Sequence, residues 1–180
     1  MQLKRAQGMM ARQSVYSTTG FAEIQVGIAE LKVARQPDRL ITYSLGSCVG
    51  VSLYDPLMKV GGLLHIMLPD STQFNDVNKP AKFADLGIPL LLREVRRRGA
   101  RKANLQAKMV GGAQMFSGAN KRFDLDIGKR NGLMARQVLR KMGIGIYAEE
   151  LGGNRGRTMI LDTFSGQVFI RMAGSPVKVI

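Results

Sequence analysis

From Ile24 onward the chain alternates. In "IQVGIAELKVA", Ile24, Val26 and Ile28 stand between polar or small neighbours, the period-two pattern of a half-buried strand. "QPDR" reads as a turn and "LITYSL" as a second strand. "VGVSLYD" and "VGGLLHIML" are two more strands, joined by "DPLMK", a turn with proline at its second position. "NLQAKMVGG", "IGIYAEELGG", "RTMILDT" and "GQVFIRM" continue the strand pattern, the last two joined by an "FSG" hairpin turn.

Two segments change period. In "KPAKFADLGIPLLLREVRRRG", Ala84, Ile88, Leu91, Leu92 and Val95 fall on one helical face, with Gly99 placed as terminator. Pro89 lacks a donor N–H, so it either kinks this helix or opens a new first turn. "IGKRNGLMARQVLRKMG" forms a second helix with Met134, Val138 and Met142 on one face and Gly143 at its end. At that spacing methionines are core filling rather than a cofactor box. Strands dominate, with two long helices, so the expected fold is an α+β or mixed α/β layered sandwich. The expected organisation is a flexible basic tail over residues 1–20 and a single domain over 21–180. "SGANKRFDLD" reads as a polar loop.

Composition narrows the function. An apolar fraction of 45% over 180 residues suits one folded domain with a real core. No apolar run reaches the roughly 18–20 residues a membrane span needs, and the start lacks the apolar centre of a secretory signal. The expectation is a cytoplasmic protein without membrane insertion. One cysteine excludes an internal disulfide, and one cysteine with one histidine cannot make a four-ligand zinc site. Neither a metal nor an organic cofactor is expected. The formal charge of +14 argues for anionic surroundings, with "REVRRRGARK" its densest run. Arg96, Arg97 and Arg98 at a helix end are more often a solvated face that also suits the helix dipole. Without tryptophan or an aromatic-rich basic stripe, nucleic-acid binding is not expected.

"GSCVG", "GGAQMFSG" and "GGNRGR" all lack the Gly-Lys-Ser/Thr ending of a phosphate loop, and tight turns explain them. In "GGNRGR", Arg155 and Arg157 are candidates for meeting acidic groups of a partner from a flexible loop.

The candidate chemistry lies in "TYSLGSCVGVSLYD", Thr42 to Asp55, and "HIMLPD", His65 to Asp70. A free cysteine is often just a small buried hydrophobe, and a lone strand histidine is usually satisfied locally. Three local features favour a nucleophile instead. Cys48 follows a strand that breaks at Gly46, a turn that exposes sulfur and points the N–H groups of Ser47 and Cys48 at one space. His65 sits in an apolar strand, where an imidazole needs a polar partner. Thr42, six residues before Cys48, carries a hydroxyl able to hold the second ring nitrogen.

"TYSLGSCVGVSLYDP", "GGLLHIMLPDS", "NKPAKFAD", "AKMVGGAQMF", "IGKRN" and "GGNRGR", in this order from about Ile24 to Arg171, resemble the CheD family of chemoreceptor glutamine deamidases. The resemblance implies a layered sandwich similar to toxin-type cysteine deamidases, with a catalytic set of Thr42, Cys48 and His65. It implies a cofactor-free amidohydrolase that converts glutamines of methyl-accepting chemotaxis receptors to glutamate and releases ammonia. His65 would take the Cys48 proton, or the two would rest as an ion pair; Ser47 and Cys48 are the backbone oxyanion candidates. A CheC-like phosphatase is the implied second partner, and a non-catalytic regulatory binder of that system is the alternative function. A cysteine protease, a transglutaminase and a nucleic-acid binder are the remaining rivals. The first twenty residues and the "SGANKRFDLD" connection depart from the family pattern, and neither includes the three residues.

Overall fold

The computed structural model describes residues 20–114 and 126–180. All but the last residue of the expected basic tail, and all but the last residue of the "SGANKRFDLD" segment, lie outside them. Ten strands and two helices follow in the order β1 (Glu23–Gln25), β2 (Leu31–Arg35), β3 (Arg39–Leu45), β4 (Val49–Asp55), β5 (Val60–Ile66), α1 (Ala84–Arg97), β6 (Gln106–Gly111), α2 (Ile127–Lys141), β7 (Gly145–Leu151), β8 (Arg157–Asp162), β9 (Val168–Arg171) and β10 (Lys178–Val179). The strands form two five-stranded mixed sheets, β1-β3-β8-β9-β10 and β2-β5-β4-β6-β7. The fold is the expected α+β layered sandwich.

Two cores separate three layers. Val49, Val51, Leu53, Leu64 and Ile66 of the second sheet pack against Ile88, Leu91 and Val95 of α1 and Leu139 of α2. Leu63 of that same sheet packs on its other face against Leu40, Leu45, Met159 and Leu161 of the first sheet. Every residue of β4 and β5 is therefore buried, since these strands are covered on both faces. His65 shares the face of Leu63, two residues away, and so points at the first sheet.

α1 begins after a short 3-10 turn at Pro80–Lys82 and runs unbroken through Pro89, which is exposed. Pro89 therefore does not open a new first turn. Gly99, at φ 101°, follows its end, and its N–H bonds the Arg96 carbonyl.

The strand expected across "IQVGIAELKVA" is two strands in different sheets. The chain turns between them, with Glu30 N–H on the Gly27 carbonyl and Gly27 N–H on the Glu30 carboxylate. Ile28 is thereby 56% exposed at the crossing, and the alternation that suggested one strand is shared by two. On α2 the deepest line is Gly128, Asn131, Gly132, Ala135 and Leu139. Met134, Val138 and Met142 pack against the core only partly buried, because small residues let the helix backbone approach the sheet most closely.

Candidate active site

β3 is irregular between Thr42 and Leu45, where Ser44 takes φ 58° and Gly46 N–H bonds the Ser44 carbonyl. The chain then passes through Ser47 and Cys48 into β4, which lies in the other sheet. The nucleophile candidate thus occupies the crossover between the two sheets. Gly50 of β4 pairs directly with His65 of β5. Cys48 lies two residues before Gly50 and packs, half-buried, against the core between the sheets, the side His65 also faces.

The histidine's proton can be assigned from its bonds. Thr42 Oγ1 lies 2.8 Å from the Val26 carbonyl oxygen and 2.7 Å from His65 Nδ1. A carbonyl cannot donate, so the single hydroxyl hydrogen belongs to the Val26 bond. Thr42 must therefore accept from His65, and Nδ1 carries the ring proton. Nε2 is left as a lone pair, buried and, among the described residues, without a hydrogen-bond partner, the Cys48 thiol included. Burial holds the His65 pKa down at about 4, and burial pushes the Cys48 thiol up, partly offset by its own backbone N–H. Both shifts favour the uncharged forms over an ion pair.

The loop carrying Cys48 is held by three consecutive carbonyls. Ala113 N–H bonds the Gly46 carbonyl at 2.7 Å, Asn131 Nδ2 the Ser47 carbonyl at 2.9 Å, and Gly112 N–H the Cys48 carbonyl at 2.8 Å. These donors come from the end of β6 and from α2. At Gly111 a Cβ would lie 2.3 Å from the Cys48 carbonyl oxygen, and at Gly128 one would lie 2.6 Å from the Gly112 carbonyl oxygen. Only glycine permits either approach. The N–H groups of Ser47 and Cys48 donate to no backbone carbonyl among the described residues. A cavity of about 380 Å³ opens beside Ser47, between the Gly112–Gln114 segment, the start of α2 and Gly152–Gly153.

Sequence reasoning placed Thr42, Ser47, Cys48 and His65 in one site, and the fold brings all four to the junction of the sheets. It missed Asn131, Gly111, Gly112, Ala113 and the Val26 carbonyl. The one available signal was a polar residue, Asn131, on the buried stripe of α2. The reading of Arg155 and Arg157 as loop contacts for a partner is corrected at Arg157. That residue belongs to β8, is buried, and faces Glu150 at 3.9 Å. Arg155 is exposed but bonds Ser175 Oγ and the Ala173 carbonyl of its own chain.

What the fold and site define is an α+β sandwich with a cysteine, a histidine and a threonine gathered where two sheets exchange chain, an arrangement suited to nucleophilic acyl chemistry. A family model described as CheD chemotactic sensory transduction matches residues 67–172, and the chain belongs to that family. It is 68% identical over 161 residues to "Probable chemoreceptor glutamine deamidase CheD" of Desulforamulus reducens, covering 89% of this chain and 97% of that one. It is 52% identical over 156 residues to the protein of the same name in Clostridium botulinum strain Hall, covering 87% and 96%. Among solved structures, Bacillus licheniformis hypothetical protein YfiH is similar at a TM-score of 0.44 and 17% identity. That match covers 69% of this chain and about half, 51%, of the other.

Proposed function

We propose that this chain is a cysteine-dependent amidohydrolase that converts glutamine side chains of methyl-accepting chemotaxis receptors to glutamate. Membership of the family and the names of its relatives support the reaction class and the receptor substrate. The observation that carries the assignment of residues is the His65 tautomer: Thr42 holds Nδ1–H, which leaves Nε2 as a base.

In this reading a receptor glutamine enters beside Ser47, and His65 Nε2 takes the Cys48 proton as sulfur attacks the carboxamide carbon. Charge gathers on the former carbonyl oxygen, where the Ser47 and Cys48 N–H groups receive it. The imidazolium then protonates the departing nitrogen, the C–N bond breaks, and ammonia leaves a thioester. His65 next takes a proton from water, hydroxide adds to the thioester, and the thiolate leaves with that proton to give glutamate and the free thiol. No metal or organic cofactor enters any step. The low pKa makes the transient imidazolium a ready acid toward the departing nitrogen, and makes Nε2 a weak base toward the thiol until substrate binds.

The reaction would take place in the cytoplasm, where the receptor's signalling region lies; no helix among the described residues is long and apolar enough to cross a membrane. A CheC-like phosphatase is the regulatory partner this reading includes, tested by gel filtration of the two purified proteins together. The decisive experiment incubates the protein with receptor cytoplasmic fragments and maps peptides by mass spectrometry. Ammonia release with an intact backbone at the modified glutamines supports deamidation, and its loss in Cys48→Ala assigns the nucleophile. Backbone cleavage or amine cross-linking would overturn it.

A further inference from the structure

Asn131 is fully buried in the second turn of α2, and its amide reaches the two chain segments that carry the candidate chemistry. Nδ2 donates at 2.9 Å to the carbonyl of Ser47, just before the cysteine, and at 2.9 Å to the carbonyl of Met67, two residues past the histidine. Both partners are acceptors, so the amide has only one orientation. Oδ1 is left buried with no partner among the described residues. An unpaired buried acceptor is unfavourable, so the position keeps a forked donor at a cost to packing.

The Ser47–Cys48 peptide is trans, and in a trans peptide the carbonyl and the following N–H point in opposite directions. Fixing the Ser47 carbonyl on Asn131 therefore fixes the direction of the Cys48 N–H. With its carbonyl turned toward α2, this peptide turns the Cys48 N–H away from α2, toward the side of the sheet on which Cys48 packs.

We infer that Asn131 is a positioning residue: it sets the plane of the Ser47–Cys48 peptide, and so the oxyanion-binding N–H of Cys48, while tying the cysteine loop to the end of the histidine strand. The inference rests on the deamidase reading above. Asn131 touches neither sulfur nor imidazole, so its loss leaves the thiol and its base in place and misaims the donor. Helix–sheet stapling alone would instead affect folding and every property of Cys48 together.

The test compares wild type with Asn131→Ala and Asn131→Asp in the full chain. Asn131→Asp keeps the shape but sets oxygens against both carbonyls. Ammonia release from a receptor fragment gives kcat and KM, and iodoacetamide alkylation across pH reports the thiol without needing an oxyanion donor. The expected result is a kcat lower by about tenfold or more, since misplacement at a reacting centre is that costly. KM stays within about threefold. The alkylation profile moves toward higher pH, because the Cys48 N–H no longer lowers the thiol pKa, while the limiting rate at high pH is retained. A kcat within about twofold of wild type overturns the inference, as does a limiting alkylation rate that falls in step with kcat. If neither variant folds, wild type labelled with 15N-cysteine gives one amide signal from its one cysteine. That signal must shift when a glutamine-derived peptide aldehyde adds to sulfur; an unmoved signal overturns the inference. A wild type that releases no ammonia sinks the deamidase reading, and this inference with it, whereas an active wild type beside unaffected variants sinks this inference alone.

Discussion

Thr42 and His65 belong to different sheets, on β3 and β5, and are joined by a 2.7 Å bond in which the threonine accepts. The direction matters more than the distance. Because Thr42 spends its own hydrogen on Val26, it selects the tautomer that leaves Nε2 bare. Thr42→Val preserves shape and removes the oxygen, leaving the Val26 carbonyl and Nδ1–H without partners. A loss of about 1–3 kcal/mol in denaturant stability is expected. The kcat falls roughly 10–100-fold, part of the 10²–10⁴ a positioned general base supplies. Thr42→Ser restores most of both. Equal activity of the valine and serine variants would contradict the tautomer argument.

The buried imidazole also makes stability depend on pH. His65 titrates at about 4 in the folded chain and near its ordinary 6.5 when unfolded. Above pH 6.5 neither state is charged, and nothing is lost. As pH falls from 6.5 to 4 the unfolded state binds a proton that the folded state refuses, so unfolding becomes easier. The difference corresponds to about 3 kcal/mol, complete below pH 4. Urea unfolding at pH 7 and pH 4.5 reads it, and with only one histidine in the chain, His65→Gln should remove this part of the slope.

Resting neutrality predicts the behaviour of the thiol. Alkylation of the sole cysteine should rise with pH through 9, because burial holds its pKa above the ordinary value. A thiolate–imidazolium pair would give a plateau of fast alkylation between the two pKa values. Such a plateau across pH 5–8 would show an ion pair and exclude the neutral resting state.

The strands around the site were legible because β3, β4 and β5 are short alternating or continuous apolar runs with turn residues between them. Thr42, Cys48 and His65 fell within 24 positions, so one local reading gathered them. Alternation does not say which sheet a strand joins, and that is why the Gly27–Glu30 crossing was read through as one strand. Asn131 is 84 positions from its Ser47 partner, and only tertiary packing brings α2 to the cysteine loop. Hydrophobicity favoured Met134, Val138 and Met142 as the inner face of that helix. The closest contact belongs to Gly128, Asn131 and Gly132, which a bulk-weighted pattern passes over.

Two glycines with left-handed backbone separate strain from site geometry. Gly111, at φ 116°, and Gly143, at φ 67°, both resist a side chain, by about 1–3 kcal/mol for strained backbone. Around Gly143 an added Cβ meets nothing within 4 Å. Gly143→Ala should therefore lower stability modestly and leave kcat unchanged. At Gly111 the same carbon would lie 2.3 Å from the Cys48 carbonyl oxygen and 3.3 Å from Val49 Cα. Both are backbone atoms at the nucleophile, so relief requires the loop itself to move. Gly111→Ala should cost more stability than Gly143→Ala and lower kcat by at least about 100-fold, since displacement of about 1 Å has that effect. Folded Gly111→Ala with kcat near wild type would mean that the Gly111–Cys48 contact does not set the position of the sulfur.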